Sequence, residues 1–462
     1  MERHRRLIPF IVAGPLFLQN LDTSVMATAL PAMARSLGVE ALHLNLAITV
    51  YLLSLAVFLP ASGWLADRFG DRRIFCVAIG LFSVASALCG LATSIPQLVA
   101  FRALQGVGGA MMVPVGRLIL LRSVPAHRMV AAMVWFTVPG SIGRVAGPLL
   151  GGLVVTFASW RWIFLLNVPF GVIGVLMTMR FVPAATETKS DRFDLAGFML
   201  LATALVCFVT DLETLGRDLI PLRATIEIAA VGLVAAVGYY FYSARKPDVL
   251  IPPGLLKFRA FRTAVIGGMP LRIAIGASPF LLPLLLQLGF GLSPVQSGAL
   301  TVFTGIGTLS VRAVMQHTIR RWGFRTLLIA ATLMTSCTYG CYGLFGPTTP
   351  HSLICVVLLF SGLFNSLALV TVNTLGYSDL PKSAMSKATA LSTMLQQTSI
   401  SLGVALGASL LALTASFKGD TAAHLSSADF PPVFFAIGAI TLVSLLFFFK
   451  LSEEEGAELR HG

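Results

Sequence analysis

The sequence predicts an all-helical (all-α) integral membrane protein, and three observations carry that prediction. Of the 462 residues, 56% are hydrophobic and only 11% are charged. Mean hydropathy is +0.85, outside the range of soluble globular domains. Apolar runs of about twenty residues follow one another almost without interruption, and a helix rising ~1.5 Å per residue needs that length to cross a hydrocarbon core of roughly 30 Å.

Taken in order, the runs give fourteen candidate transmembrane helices. Six open the chain, over residues 7–30, 42–66, 74–92, 97–121, 129–157 and 162–181. Two more, 195–212 and 222–242, stand between the halves, and six follow over 261–289, 294–315, 327–345, 353–375, 388–415 and 433–449. The expected domains are therefore a six-helix bundle over 1–183, a two-helix linker over 184–247 and a second six-helix bundle over 248–462. The longest connection, 243–260, is basic and contains Pro252-Pro253. No loop is long enough to fold separately, so any activity resides in the membrane bundle.

Orientation follows from Lys and Arg, which collect in cytoplasmic loops. With the amino terminus inside, only Arg35, Arg161, Arg217, Arg223 and Lys418 of the 33 cations fall in outer segments, while Arg102, Arg117, Arg144, Arg272 and Arg312 fall within spans. The rest are cytoplasmic, and both termini are expected there. The net charge of +13 is dealt out loop by loop, with no basic domain that would mark a nucleic-acid surface. The first apolar run is too long for a secretory signal and carries an acid, Asp22. The six cysteines sit in apolar spans without metal-ligand spacing and read as packing residues. The seven histidines fall in loops or at span ends, which leaves no intramembrane cluster for a catalytic metal. A filter-like segment or repeated pore loop, the mark of a channel, is missing too. No cofactor is expected.

Several motifs sharpen the class. The turn Gly63-Trp64-Leu65-Ala66-Asp67-Arg68-Phe69-Gly70-Asp71-Arg72-Arg73 joins the second and third helices through glycines, acids and cations. Small residues let helices approach closely, and the charges can pair across the turn or with helix ends. This segment resembles the signature turn of the major facilitator superfamily. The segments Leu21-Asp22-Thr23-Ser24-Val25-Met26-Ala27-Thr28-Ala29-Leu30-Pro31, Arg102-Ala103-Leu104-Gln105-Gly106-Val107-Gly108, Gly143 to Gly152 and Ser159-Trp160-Arg161-Trp162-Ile163-Phe164-Leu165-Leu166-Asn167-Val168-Pro169 are similar to motifs of its 14-helix drug:proton antiporter branch. The second half carries a faded echo of the turn, Arg320-Arg321-Trp322-Gly323-Phe324-Arg325, without its acid.

The resemblance implies a major facilitator fold in which two six-helix bundles rock about a central cavity. It further implies efflux of small molecules driven by the proton gradient, in a bacterial cytoplasmic (inner) membrane; a monomer is expected. By resemblance Gly63, Asp67, Arg68, Gly70, Arg72 and Arg73 latch the cytoplasmic ends of the bundles in the outward-open state. Gly143, Gly147, Pro148, Gly151 and Gly152 are likewise tied to helix packing and export direction. On the residues alone, the turn can equally set topology and the glycines simply permit tight packing.

The charges themselves single out Asp22, because a carboxylate in hydrocarbon is costly and tends to be functional. By helical rise Asp22 lies roughly 22 Å from the cytoplasmic surface, Arg144 at a similar level, and Arg102 ~8 Å below the outer surface. These three are close enough in depth to meet. A buried acid whose guanidinium neighbour can come and go binds and releases a proton with conformation, so Asp22 and Arg102 are the expected proton-coupling pair. The alternative is a permanent ion pair that only fixes two helices.

Asp211, Glu213 and Glu227, near outer helix ends, are expected to be solvated at the interface, and Arg117 and Arg312 to snorkel. Arg272 lies about 16 Å along its span. With Arg102 and Arg144 it leaves three deep cations against one acid, a balance that suits anionic or zwitterionic cargo unless each arginine is capped by helix carbonyls or amides. Gln19, Asn20, Gln105, Asn365 and Gln396, with Asn373 and Gln397, complete the candidate cavity, each equally readable as an interhelical hydrogen bond. The reading reached is a proton-coupled exporter of drug-like or amphipathic molecules, with a dedicated exporter of an anionic or zwitterionic metabolite as the alternative and a membrane-embedded enzyme a remote third.

Overall fold

The computed structural model describes residues 2–123, 129–183, 193–214, 221–246, 249–250, 252–381, 384–417 and 425–452. Among them every regular element is helical. The first six are α1 (Glu2–Leu37), α2 (Asn45–Phe69), α3 (Asp71–Leu91), α4 (Ile95–Ser123), α5 (Met129–Phe157) and α6 (Arg161–Phe181). Then come α7 (Leu195–Thr214), α8 (Leu222–Arg245), α9 (Arg259–Gly289), α10 (Pro294–Gly343), α11 (His351–Leu375), α12 (Met385–Phe417) and α13 (Ser427–Phe448). Eleven are long and apolar enough to cross a membrane. The other two are α1, whose hydropathy is lowered by Gln19, Asn20 and Asp22, and α10.

Two helices depart from regularity for identifiable reasons. α10 is two rods meeting at Gly323, whose φ of 73° and ψ of 170° suit glycine because it lacks a Cβ. The expected loop between residues 315 and 327 is thus helix up to that one residue. In α9, π-helical segments Thr263–Gly267 and Leu285–Gly289 flank a regular stretch with Pro279 and Pro283.

The helices pack as two sets. α1 lies against α4, α5 and α6, while α2 and α3 both pack on α4; in the other set α9 lies against α12 and α13, and α10 against α11 and α13. Large aromatics such as Phe75, Phe82, Phe164, Phe280 and Phe430 fill the interior, whereas Phe157, Leu176, Val234 and Leu446 point outward. An apolar exterior is what lipid solvates, and within lipid helices satisfy every backbone group internally.

The sets meet along two seams, α5 with α10 and α2 with α12. Missing side chains set the closeness of the first. A Cβ on Gly152 would overlap the Pro294 carbonyl, one on Gly298 the Pro148 carbonyl, and one on Gly305 would lie 2.8 Å from Val145. Side chains bridge the sets elsewhere: Gln287 Nε2 donates to the Thr28 carbonyl at 3.0 Å and Ser401 Oγ to the Thr49 carbonyl at 3.2 Å. These contacts lie toward the end where α1 and α5 finish, opposite the α2–α3 turn. The expected domain limits at 183/184 and 247/248 border residues 184–192 and 247–248, which, like Arg217 and Lys418 and the side chain of Arg312, lie outside the described residues.

Candidate functional site

Asp22 is 2% exposed and faces α4 and α6 rather than solvent. Arg102 of α4, wholly buried, places Nη1 2.5 Å from Asp22 Oδ2. The other carboxylate oxygen accepts from Gln105 Nε2 and from Asn167 Nδ2, each at 3.1 Å. Gln105 also takes a bond from Arg102 Nη1 at 2.6 Å and donates to Ser86 Oγ at 2.7 Å, and Asn167 reaches the same hydroxyl at 3.3 Å. Arg102 Nε donates to the Ala47 carbonyl at 3.3 Å, and its guanidinium lies 4.2 Å from the centre of the Tyr51 ring. A buried ion pair offsets its desolvation only when further hydrogen bonds satisfy the remaining valences. Gln105 and Asn167 do this for the carboxylate and the Ala47 carbonyl for Arg102 Nε, while Arg102 Nη2 stays buried without a hydrogen-bond partner. Donors alone surround Asp22, which matches an ionised carboxylate, an acceptor-only group.

Asn167 and Ser86 complete this network and were not among the sequence candidates. Asn167 stands inside the Trp160-to-Pro169 motif, which marked the segment but not its partner. Ser86 offered no signal, since one hydroxyl in an apolar helix is unremarkable.

Arg144 does not join the pair. Its Nη2 donates to Asn20 Oδ1 at 2.7 Å, the side chain is exposed, and its backbone carbonyl accepts from Ser24 Oγ at 2.8 Å. Gln19 and Asn20, half-buried on α1, share this region. Arg272 is 1% exposed, and its Nη1 caps the carbonyls of Ala264 and Val265 at 2.9 and 3.3 Å while Nη2 donates to Asn373 Oδ1 at 2.8 Å. Those carbonyls belong to the π-helical turn, so Arg272 is held as a structural cap. Asn365 is buried against Tyr339 and Ser361, both at 3.4 Å, and Gln396 is half-buried on α12.

The charged turn makes bonds within its own set. Arg122, at the end of α4, donates to Asp67 at 2.7 Å and to Asp71 at 3.4 Å, and Arg72 reaches the Met179 carbonyl of α6. Gly70 closes α2 with φ 88°, while a Cβ on Gly63 would meet open space. In α5 the glycines divide: Cβ atoms on Gly143, Gly147 and Gly151 would strike Phe17, Ser24 and Val25 of α1, while Gly152 faces α10 across the seam.

One expectation is overturned. Glu213 is not solvated at the interface but 3% exposed, with both carboxylate oxygens accepting from Asn45 Nδ2 at 2.9 and 3.1 Å. Buried carboxylates need such partners, and the partner lies far off in sequence. Glu227 does lie exposed, paired with Arg223 at 2.9 Å.

The profile of the Major Facilitator Superfamily matches residues 15–404. The chain belongs to the major facilitator superfamily. Its relatives include proteins named "Putative multidrug resistance protein MdtD" from Escherichia coli O6:H1, 41% identical, and Escherichia fergusonii, 40% identical, each over 408 residues that cover 88% of this chain and 86% of the relative. The fold is also that of a POT family transporter crystallised with 5-aminolevulinic acid (TM-score 0.69, 17% identity, 97% and 96% of the two chains) and of a D-xylose-proton symporter (0.67, 14%, 97% and 98%). As a major facilitator this chain is a transporter of small molecules and not an enzyme. It is a multi-pass protein of the bacterial inner membrane.

Proposed function

We propose that this transporter is a proton-coupled antiporter that exports drug-like, amphipathic molecules by alternating access. In this reading fourteen helices span the membrane, α1 and both arms of α10 included, with both termini cytoplasmic, and a monomer suffices. The multidrug resistance names of the relatives support the cargo class. One observation carries the coupling: a carboxylate enclosed in the membrane, ion-paired to Arg102 at 2.5 Å and held by two amides from different helices.

That geometry gives the proton a mechanical consequence. Protonating Asp22 removes the counter-charge of Arg102 and replaces one acceptor with an O–H donor among donors, so the bonds joining α1, α4 and α6 no longer match. The seam contacts gather at the outer end in this orientation, and the Asp67 turn bonds to Arg122 within its own set. We therefore assign this arrangement, on its outer-end contacts, to the outward-closed, ionised half of the cycle, with the turn acting as a latch in the other half. Uptake of a fluorescent amphipathic dye into inverted vesicles tests the function: a proton gradient drives accumulation and an uncoupler abolishes it. Accumulation that ignores the uncoupler refutes antiport.

A second reading, export of an anionic or zwitterionic molecule, is favoured by Arg144 alone, whose exposed guanidinium rests on Asn20 beside the seam. If Arg144 meets cargo, Arg144→Gln lowers transport of an anionic dye more than that of a cationic one. Equal losses for both dyes remove this reading.

A further inference from the structure

The buried pair of Glu213 and Asn45 joins α7, the first linker helix, to the first residue of α2. One residue earlier, the Leu212 carbonyl accepts from Ser409 Oγ of α12 at 3.3 Å. One turn further back, Val209 packs in a single apolar cluster with Leu53 and Val57 of α2 and Leu402 of α12. The last turn of α7 thus touches both sides of the α2–α12 seam, on the same stretch where Ser401 of α12 bonds the Thr49 carbonyl of α2. A cavity of about 430 Å³ bounded by His43, Thr49, Leu53, Ile95, Val209 and Glu213 lies beside the joint.

We propose that α7 is a fastener across the α2–α12 seam, with Glu213 as the positioning residue that keeps it in place. The inference rests on the alternating-access reading, since a seam that never opens needs no fastener. α7 is one rigid helix, so when α2 and α12 part it can follow only one of them. Its polar hold on α2 is charge-assisted, at 2.9 and 3.1 Å, and its polar hold on α12 is a neutral bond at 3.3 Å, near the limit of the interaction, while the Val209 cluster takes in both helices. Of the two polar joints the Ser409 bond is the weaker, and it is the one released first when the seam opens. The adjoining cavity gives the joint room to shift. This assigns a transport role to a helix outside both six-helix bundles.

The test measures opening of the seam directly. In the full chain with its six native cysteines replaced, Ser401→Cys places a thiol at a wholly buried seam position, and its rate of labelling by a water-soluble maleimide in vesicles reports exposure. Glu213→Leu should raise that rate about tenfold, the weight of one charge-assisted hydrogen bond, while Glu213→Gln, whose amide oxygen still accepts from Asn45, stays within about twofold of the parent. Labelling in Glu213→Leu equal to the parent overturns the proposal, as does an equal rise in the Leu and Gln variants. If Glu213→Leu fails to insert, Asn45→Ala decides by the same tenfold criterion. An inactive Asp22→Asn combined with unchanged labelling in Glu213→Leu leaves the antiporter standing and the fastener refuted. An active Asp22→Asn refutes antiport whatever the labelling shows.

Discussion

Replacing Gly152 with alanine is the sharpest perturbation of the rocking interface. The new methyl would overlap the Pro294 carbonyl oxygen and lie 2.9 Å from its carbon and 3.0 Å from Val295 Cα, whereas ordinary contact begins near 3.4 Å. All three atoms are backbone, so no side chain can swing aside, and α5 and α10 must separate by several tenths of an ångström. Overpacking of this kind costs about 1–3 kcal/mol. The closed seam alone bears that cost, because the strain vanishes once the helices part. At 1.4 kcal/mol per factor of ten, the conformational equilibrium moves about 5- to 150-fold toward the seam-open state. Hydrogen exchange of the α5 and α10 ends in nanodiscs checks this, with faster exchange around residues 150–157 and 294–299 expected, accompanied by a fall in maximal efflux. Unchanged exchange and unchanged efflux would refute the idea that this contact sets the equilibrium.

Three further outcomes follow from the same geometry. Asn167→Ala removes a donor to Asp22 worth roughly 1.5–3 kcal/mol, so proton-driven transport should fall about tenfold or more at normal protein level; full activity would place Asn167 outside the coupling network. Arg272→Leu uncovers the Ala264 and Val265 carbonyls at a cost of about 1–3 kcal/mol and should lower the apparent melting temperature in detergent while leaving the relative rates for anionic and cationic dyes unchanged; a selective loss of anionic transport would restore a cargo role. Gly63→Ala meets open space and should leave this closed arrangement intact, with hydrogen exchange of α5 and α10 as in the parent, whereas faster exchange there would mean that the turn governs the seam already in this state.

Much of the fold was legible because membrane helices announce themselves by length and apolarity, and the motif segments by glycine, proline and charge. Depth along a helix was legible too: counting residues put Asp22 and Arg102 within reach, and they are in contact. What counting cannot supply is the direction a side chain faces. Arg144 came out at the same level yet points to Asn20, and Gly152 faces the opposite set while Gly151 beside it faces α1. Partners distant in sequence were equally hidden, because a lone polar residue in an apolar helix has no period to betray its contacts. Glu213 read as an interfacial acid until Asn45 was found against it, 168 residues away. Arg272 read as either a cavity cation or a cap on helix carbonyls, and its contacts with Ala264, Val265 and Asn373 fit the second, though the π-helical turn it caps leaves no mark on composition.

Counting protons against cargo is the most direct measurement of coupling. In liposomes with an internal pH dye, the parent should release protons on the side from which it takes up an amphipathic dye, and Asp22→Asn, at equal protein level, should neither move protons nor pump uphill. Uphill, gradient-dependent pumping by Asp22→Asn would contradict the assignment of Asp22 as the coupling acid.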